Sequence, residues 1–247
     1  MKRLLTTGTA VVLVCWLISG TALAQSSKAT AQITTVTMCA NSNNLAPCTA
    51  LSSQNIPTGV WHSIMSTTIK TSNVADLFPD TSLVTGLFTS TQVKGNGSGS
   101  TSSATAMGSV QVRVVLDPQF DGSGNVVAGR YGYPDDQGSG VTFDQRIQTL
   151  SANLGNIFTD CFANGGNTGT GCQLTQEQIT LVLDTTSAHS YGFILPNVGT
   201  GTHTLLVQAQ VNTSSSSSGG GVAVSNAMFG LGSLTVESVR LVNSFSF

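Results

Sequence analysis

Charge is the scarcest property of this sequence. Asp, Glu, Lys and Arg make up 8% of its 247 residues, where an ordinary soluble domain carries about 25%. Beyond Arg3 the basic residues stand singly, and the formal net charge is -2. Such a chain builds no electropositive stripe for a phosphate backbone, which argues against a nucleic-acid partner. Histidine is as sparse: His62, His189 and His203 fall in separate segments, none with a second histidine at i+2 or i+4, so no local metal-binding pattern is written into the chain. There is no Cys-x2-Cys pair, which argues against a structural zinc. The motifs G-x-S-x-G, G-x-G-x-x-G and G-x-x-x-x-G-K-[ST] are also missing. Abundant serine and glycine therefore supply neither a nucleophile elbow nor a nucleotide cradle.

What is present begins with a leader. Lys2 and Arg3 precede an apolar stretch from Val11 to Ile18, and Ala22-Leu23-Ala24 supplies the small residues of a cleavage site. Residues 1–24 read as a removed signal peptide, with the mature chain starting at Gln25. The apolar run is short of the roughly 20 residues that a spanning helix needs, so no membrane contact is expected after processing. Four cysteines remain, Cys39, Cys48, Cys161 and Cys172. In an oxidising compartment an even count points to two disulfides. The close spacings favour Cys39 with Cys48 and Cys161 with Cys172, each closing a short loop and contributing roughly 2.5 to 3 kcal/mol.

With so little charge, the solvent face must be built of Ser, Thr, Asn, Gln and Gly. The clearest strand spans residues 109–117, with Val110, Val112, Val114 and Leu116 on one face and Gln111 and Arg113 on the other, the period of a half-buried strand. Residues 203–211 repeat the pattern through His203, Leu205, Val207, Ala209 and Val211. Further apolar runs at 33–38, 61–71, 82–93, 141–150, 190–195, 222–228 and 234–243, separated by Gly, Ser and Asn clusters, predict a mainly β protein. Its fold class is an antiparallel β-sandwich or jelly roll. Two segments suggest a short inserted helical pair. Leu154, Ile157, Phe158 and Cys161 recur at helical spacing, and Thr175 precedes Gln178 as in a capping box. Thr180, Val182, Thr185 and Thr186 are β-branched and leave the second segment open to a strand.

Residues 94–106 and 212–221 read as flexible loops, the second carrying five serines and three glycines in its last nine residues. Only 26 residues follow Gly221, too few for a domain of their own. The tail must pair with earlier strands, and residues 25–247 are expected to form one sandwich domain.

Chemistry concentrates between Asp117 and Asp136. Asp121, Ser123 and Asn125 alternate like the oxygen ligands of a calcium loop, with Asp117 nearby, although the closing glutamate is missing. The same residues also suit a plain hairpin turn. Calcium is the one cofactor the pattern admits. Tyr131 and Tyr133, followed by Asp135 and Asp136, are the candidate ligand-binding group, suited to a glycan through ring stacking and hydrogen bonds. Asp117, Asp121, Asp135 and Asp136 could serve as glycosidase carboxylates only if folding sets two of them across a cleft. Trp61 shares strand parity with Met65 and Ile69 and is assigned to the core.

No catalytic residue is assigned. The leading expectation is a secreted, extracellular, periplasmic or cell-surface β-sandwich without catalysis, acting as a surface, matrix or binding module. The alternative is a carbohydrate-binding or carbohydrate-processing protein using the acidic and aromatic loop residues. Within or beside the expected strands the only lysines are Lys70 and Lys94. Sheet edges are normally guarded by such charges, so self-association through edges is also expected.

Overall fold

A computed structural model describes residues 28–42, 54–95, 101–154, 156–159 and 173–240. In chain order the strands are β1 (Ala29–Asn41), β2 (Gln54–Asn55), β3 (His62–Thr71), β4 (Ala75–Lys94), β5 (Ser102–Phe120), β6 (Val126–Tyr131), β7 (Val141–Ala152), β8 (Asn156–Thr159), β9 (Gln173–Gln176), β10 (Gln178–Gly192), β11 (Leu195–Val198), β12 (Gly201–Ser218) and β13 (Val222–Val239). They form one sheet in the order β10-β4-β13-β1-β2 with β11 also on β4, and a second in the order β3-β12-β5-β6 with β7 also on β5. β8 and β9 make a separate two-stranded pair. Pairing is antiparallel throughout, except between β1 and β2.

The alternation in the sequence explains how the two sheets meet. Val110, Val112, Val114 and Leu116 of β5 and Leu205, Val207, Ala209 and Val211 of β12 pack in one core with Leu77, Leu83 and Leu87 of β4 and Phe229, Leu234 and Val236 of β13 from the other sheet. All belong to one buried cluster. Each large side chain so buried is worth roughly 1.5 to 3 kcal/mol, and a one-residue slip in any strand would turn that face to water. The architecture is thus mainly β and sandwich-like.

The helical pair is not seen. Residues 156–159 and 173–176 pair as strands β8 and β9, and residues 178–192 form β10, in register with β4 from Gln178 opposite Lys94 to Gly192 opposite Asp80. The β-branching of Thr180, Val182, Thr185 and Thr186 decides the matter: a neighbouring strand rewards side chains that a helix would restrict. The connection between Cys161 and Cys172 lies outside the described residues, as do Cys48 and the leader.

The expected loops are corrected as well. Residues 102–106 already belong to β5, and residues 212–218 belong to β12, with Ser214 to Ser218 paired to Met107 to Ser103. A turn at Gly219–Gly220 leads directly into β13, whose Val222 lies opposite Gln92 of β4. The serine run is a strand because its neighbour β5 completes its backbone hydrogen bonds and because small buried residues sit beneath it. Val93, Ala104, Ala106 and Ala223 form a second apolar cluster at this end, with Leu150, Ala152 and Leu154 packed against it. The segment beyond the serines pairs with both β4 and β1.

Candidate functional site

Asp117 sits where the pairing of β5 with β6 shifts register, with φ at 49°, a left-handed conformation that Asp tolerates better than most residues. The turn directs its carboxylate towards β12. Oδ1 accepts the Thr204 amide at 2.9 Å and Oδ2 lies 2.8 Å from His203 Nδ1. The other ring nitrogen of His203 lies 3.0 Å from the Gly199 carbonyl. Asp117 is therefore bound up in holding β12.

Asp121 is occupied by its own hairpin. Its Oδ1 accepts the Ser123 and Asn125 amides at 2.9 and 2.8 Å, and its Oδ2 accepts the Asn125 side-chain amide at 3.1 Å. That Asn125 contact, and then the backbone donors, hold the Asp121 carboxyl below the usual carboxylate range. A calcium loop needs oxygens converging on one point, whereas here Asn125 offers Asp121 its nitrogen. Among the described residues no three His, Cys, Asp or Glu side chains gather as metal ligands.

Tyr131 belongs to a stack that spacing does not reveal. Arg113 of β5, 9% exposed, has its guanidinium carbon 4.2 Å from the centre of the Trp61 ring and 5.2 Å from that of Tyr131. Its Nε and Nη2 donate to Gln208 Oε1 at 2.9 and 2.7 Å, and its Nη1 donates to the Gly138 carbonyl at 2.8 Å. Burial lowers the Arg113 pKa, while Tyr131 and Asp135 oppose that shift. The buried Asp135 closes the loop above the stack, accepting the Ser139 amide at 2.8 Å and the Gly140 amide at 2.7 Å. Gly138 and Gly140 have φ of +77° and +84°. A Cβ at 138 would stand 2.6 Å from the Tyr131 ring, and one at 140 would collide with Trp61, so only glycine lets this loop lie so close. Tyr133 exchanges both backbone hydrogen bonds with Ile194. Asp136 is exposed.

Trp61 is thus not a core residue. Met65 pairs with Val207, but Ser63 pairs with Gln208. Ile64 is the extra residue of a bulge that reverses the parity of everything before it. Ile64 packs against the core, and Trp61 joins Ser63 on the outer side with Arg113.

A second cluster lies between the sheets. His189 Nε2 is 2.7 Å from Ser187 Oγ and 3.6 Å from Asp144 Oδ2, which also accepts the Thr85 hydroxyl at 2.8 Å. The residue types match a hydrolytic triad but the geometry does not, since both partners crowd one ring nitrogen where a triad sets the carboxylate on the other. The cluster continues along β7. Arg146 donates to the Leu87 carbonyl at 3.0 Å and to Thr185 Oγ1 at 2.5 Å. Gln148 accepts Thr89 Oγ1 at 2.7 Å and donates to Thr91 Oγ1 at 2.7 Å and the Leu181 carbonyl at 2.8 Å. This polar seam fastens β10 and β4 to β7. Its sequence signal was the i, i+2 pair Ser187 and His189, which a strand places on one face.

A further surface, among the described residues, is the outer face of β7, β5 and β12, largely solvent-facing although Ser109 within it is buried. Register aligns Ser151, Ser103 and Ser218 in one row, then Thr149, Thr105 and Ser216, then Ile147, Met107 and Ser214, then Gln145, Ser109 and Asn212. Thr105 and Thr149 hydroxyls are 3.1 Å apart, and the Gln210 and Asn212 amides donate to Gln111 Oε1 at 2.5 and 3.1 Å. None of these side chains is charged. Strands about 4.7 to 4.9 Å apart, with like-facing residues every ~6.8 Å along each, set the spacing of this hydroxyl and amide grid.

No protein-family model and no curated protein matches the chain. Solved structures similar to it include "Structure of infectious bursal disease virus Gx strain", at 11% identity and a TM-score of 0.13, and the corresponding Gt strain structure, at 12% and 0.12. These alignments take in 86% and 88% of this chain but 40% and 42% of the viral ones. The chain spans about two-fifths of their length, and a likeness at this level carries no argument.

Proposed function

We propose that this protein is a secreted, non-catalytic β-sandwich that serves as a surface, matrix or binding module, meeting its partner through the neutral face of β7, β5 and β12. One observation carries the reading: Asp117, Asp121 and Asp135 and the Tyr131 ring are each engaged by neighbours within the fold, while the hydroxyl and amide grid faces outward. An uncharged array of hydroxyls and amides, crossed by the row of Ile147 and Met107, suits a neutral, hydroxyl-rich partner. Binding to insoluble neutral polysaccharides and to a glycan array tests it, using Thr149→Glu and Ser216→Glu to charge the face. The expected result is binding lost in both variants with the fold retained. Unchanged binding in both, or release of sugars by the wild type, would overturn it.

The second reading, carbohydrate recognition through the loop residues, is supported by the exposure of Asp136 beside Tyr133. In that case Tyr133→Ala and Asp136→Ala abolish glycan binding and the face variants retain it.

A further inference from the structure

β10 differs from the other long strands at the margins of the two large sheets. β3 carries Lys70 and a register shift, β6 is 6 residues long with Arg130 and shifts of register, and β7 carries the inward Asp144 and Arg146 and its own shift. β1 is interrupted between Thr34 and Thr37. These are the devices by which natural sheets refuse further strands. β10 has none of them beyond a single carboxylate, Asp184. Its 15 residues hold one unbroken register against β4 and contain no Lys, Arg or Pro. Among the described residues no strand lies along its other side. Apolar side chains are exposed on both of its faces, Ile179 by 44%, Leu181 by 40%, Val182 by 53% and Leu183 by 42%.

We infer that β10 is a docking edge for a second copy of this chain, joined antiparallel about a two-fold axis at Thr185. The strand's charge selects this occupant and direction. Asp184 is its one acidic residue. Parallel, in-register addition would set Asp184 beside Asp184, a like-charge pair at neighbouring positions. The two-fold arrangement sets Asp184 opposite Thr186, Leu183 opposite Ser187, Leu181 opposite His189 and Ile179 opposite Tyr191. No residue then meets a like charge, and the histidine lies across from leucine. The area is also sufficient. A strand of this length runs ~50 Å, and covering a band ~10 Å high on each copy buries on the order of 1,000 Å² in total, the lower bound of a specific interface. The pairing is isologous and closes at two copies. It is independent of what the neutral face binds.

Sedimentation of the full secreted chain over a wide concentration range, together with cysteine cross-linking, tests the inference. The wild type is expected to pass from monomer to dimer. Val182→Lys and Leu183→Lys, both at exposed positions, are expected to stay monomeric with an unchanged circular dichroism spectrum. Paired residues of antiparallel strands have Cα atoms about 4.5 to 5.5 Å apart, within disulfide reach, so Thr185→Cys is expected to form a 185–185 linkage on mild oxidation, verified by peptide mass. Ile179→Cys lies ~40 Å from its copy in this arrangement and does not cross-link. A wild type that is monomeric at every concentration overturns the inference, and so does 179–179 cross-linking as efficient as 185–185.

Discussion

The side chains that looked most reactive prove to be the ones most used by the backbone. Asp117, Asp121 and Asp135 each accept main-chain amides, as short acidic residues do wherever a chain turns. His62 shows the opposite condition. Burial lowers its pKa, and its Nε2 is buried with no partner among the described residues. The neutral ring is thus favoured in the folded state, and the unfolded chain binds the proton more readily. The stability this confers is complete above the unfolded value of about 6.5 and falls away as pH drops through the lowered folded value. Denaturation midpoints measured across that acidic window are expected to decline in the wild type and to decline less in His62→Leu. Equal slopes in the two proteins would remove His62 from the account.

At the scale of the element, alternation was legible and interruptions to it were not. Val110, Val112, Val114 and Leu116 announce β5, but nothing in residues 61–65 marks the bulge at Ile64 that turns Trp61 outward to Arg113. A bulge is settled by the register of the partner strand. The serine run misled for a related reason. Serine favours turns through its local hydrogen bonds, and that preference yields when β5 supplies a full ladder. Successive residues of a strand direct their amides to opposite edges. Of Ser215→Pro and Ser216→Pro, one therefore breaks a bond to β5 and is expected to cost about 3 kcal/mol by chemical denaturation, with the other far milder. Two equally silent substitutions would mean that residues 212–218 are a loop.

Across the whole molecule, low charge is the property with the widest consequences. With a net charge of -2, little long-range repulsion opposes the approach of a second copy along β10, and little attraction steers an ionic ligand. Binding through the neutral face is accordingly expected to be nearly independent of ionic strength. A polysaccharide pull-down that weakens steeply as salt rises would point to charged groups and away from that face, because screening acts on ionic contacts.

The sequence by itself determined the β character, the inward residues of β5 and β12 and the scarcity of surface charge, because period and composition act locally and survive any arrangement of the strands. Tertiary structure alone decided that Arg113 would stack on Trp61 and Tyr131, that Asp144 would meet Ser187 and His189, and that no other described strand would lie along the far side of β10. Each of those facts depends on which strands become neighbours and in what register. That choice is made by the summed burial of both sheets, a quantity no short window of residues contains.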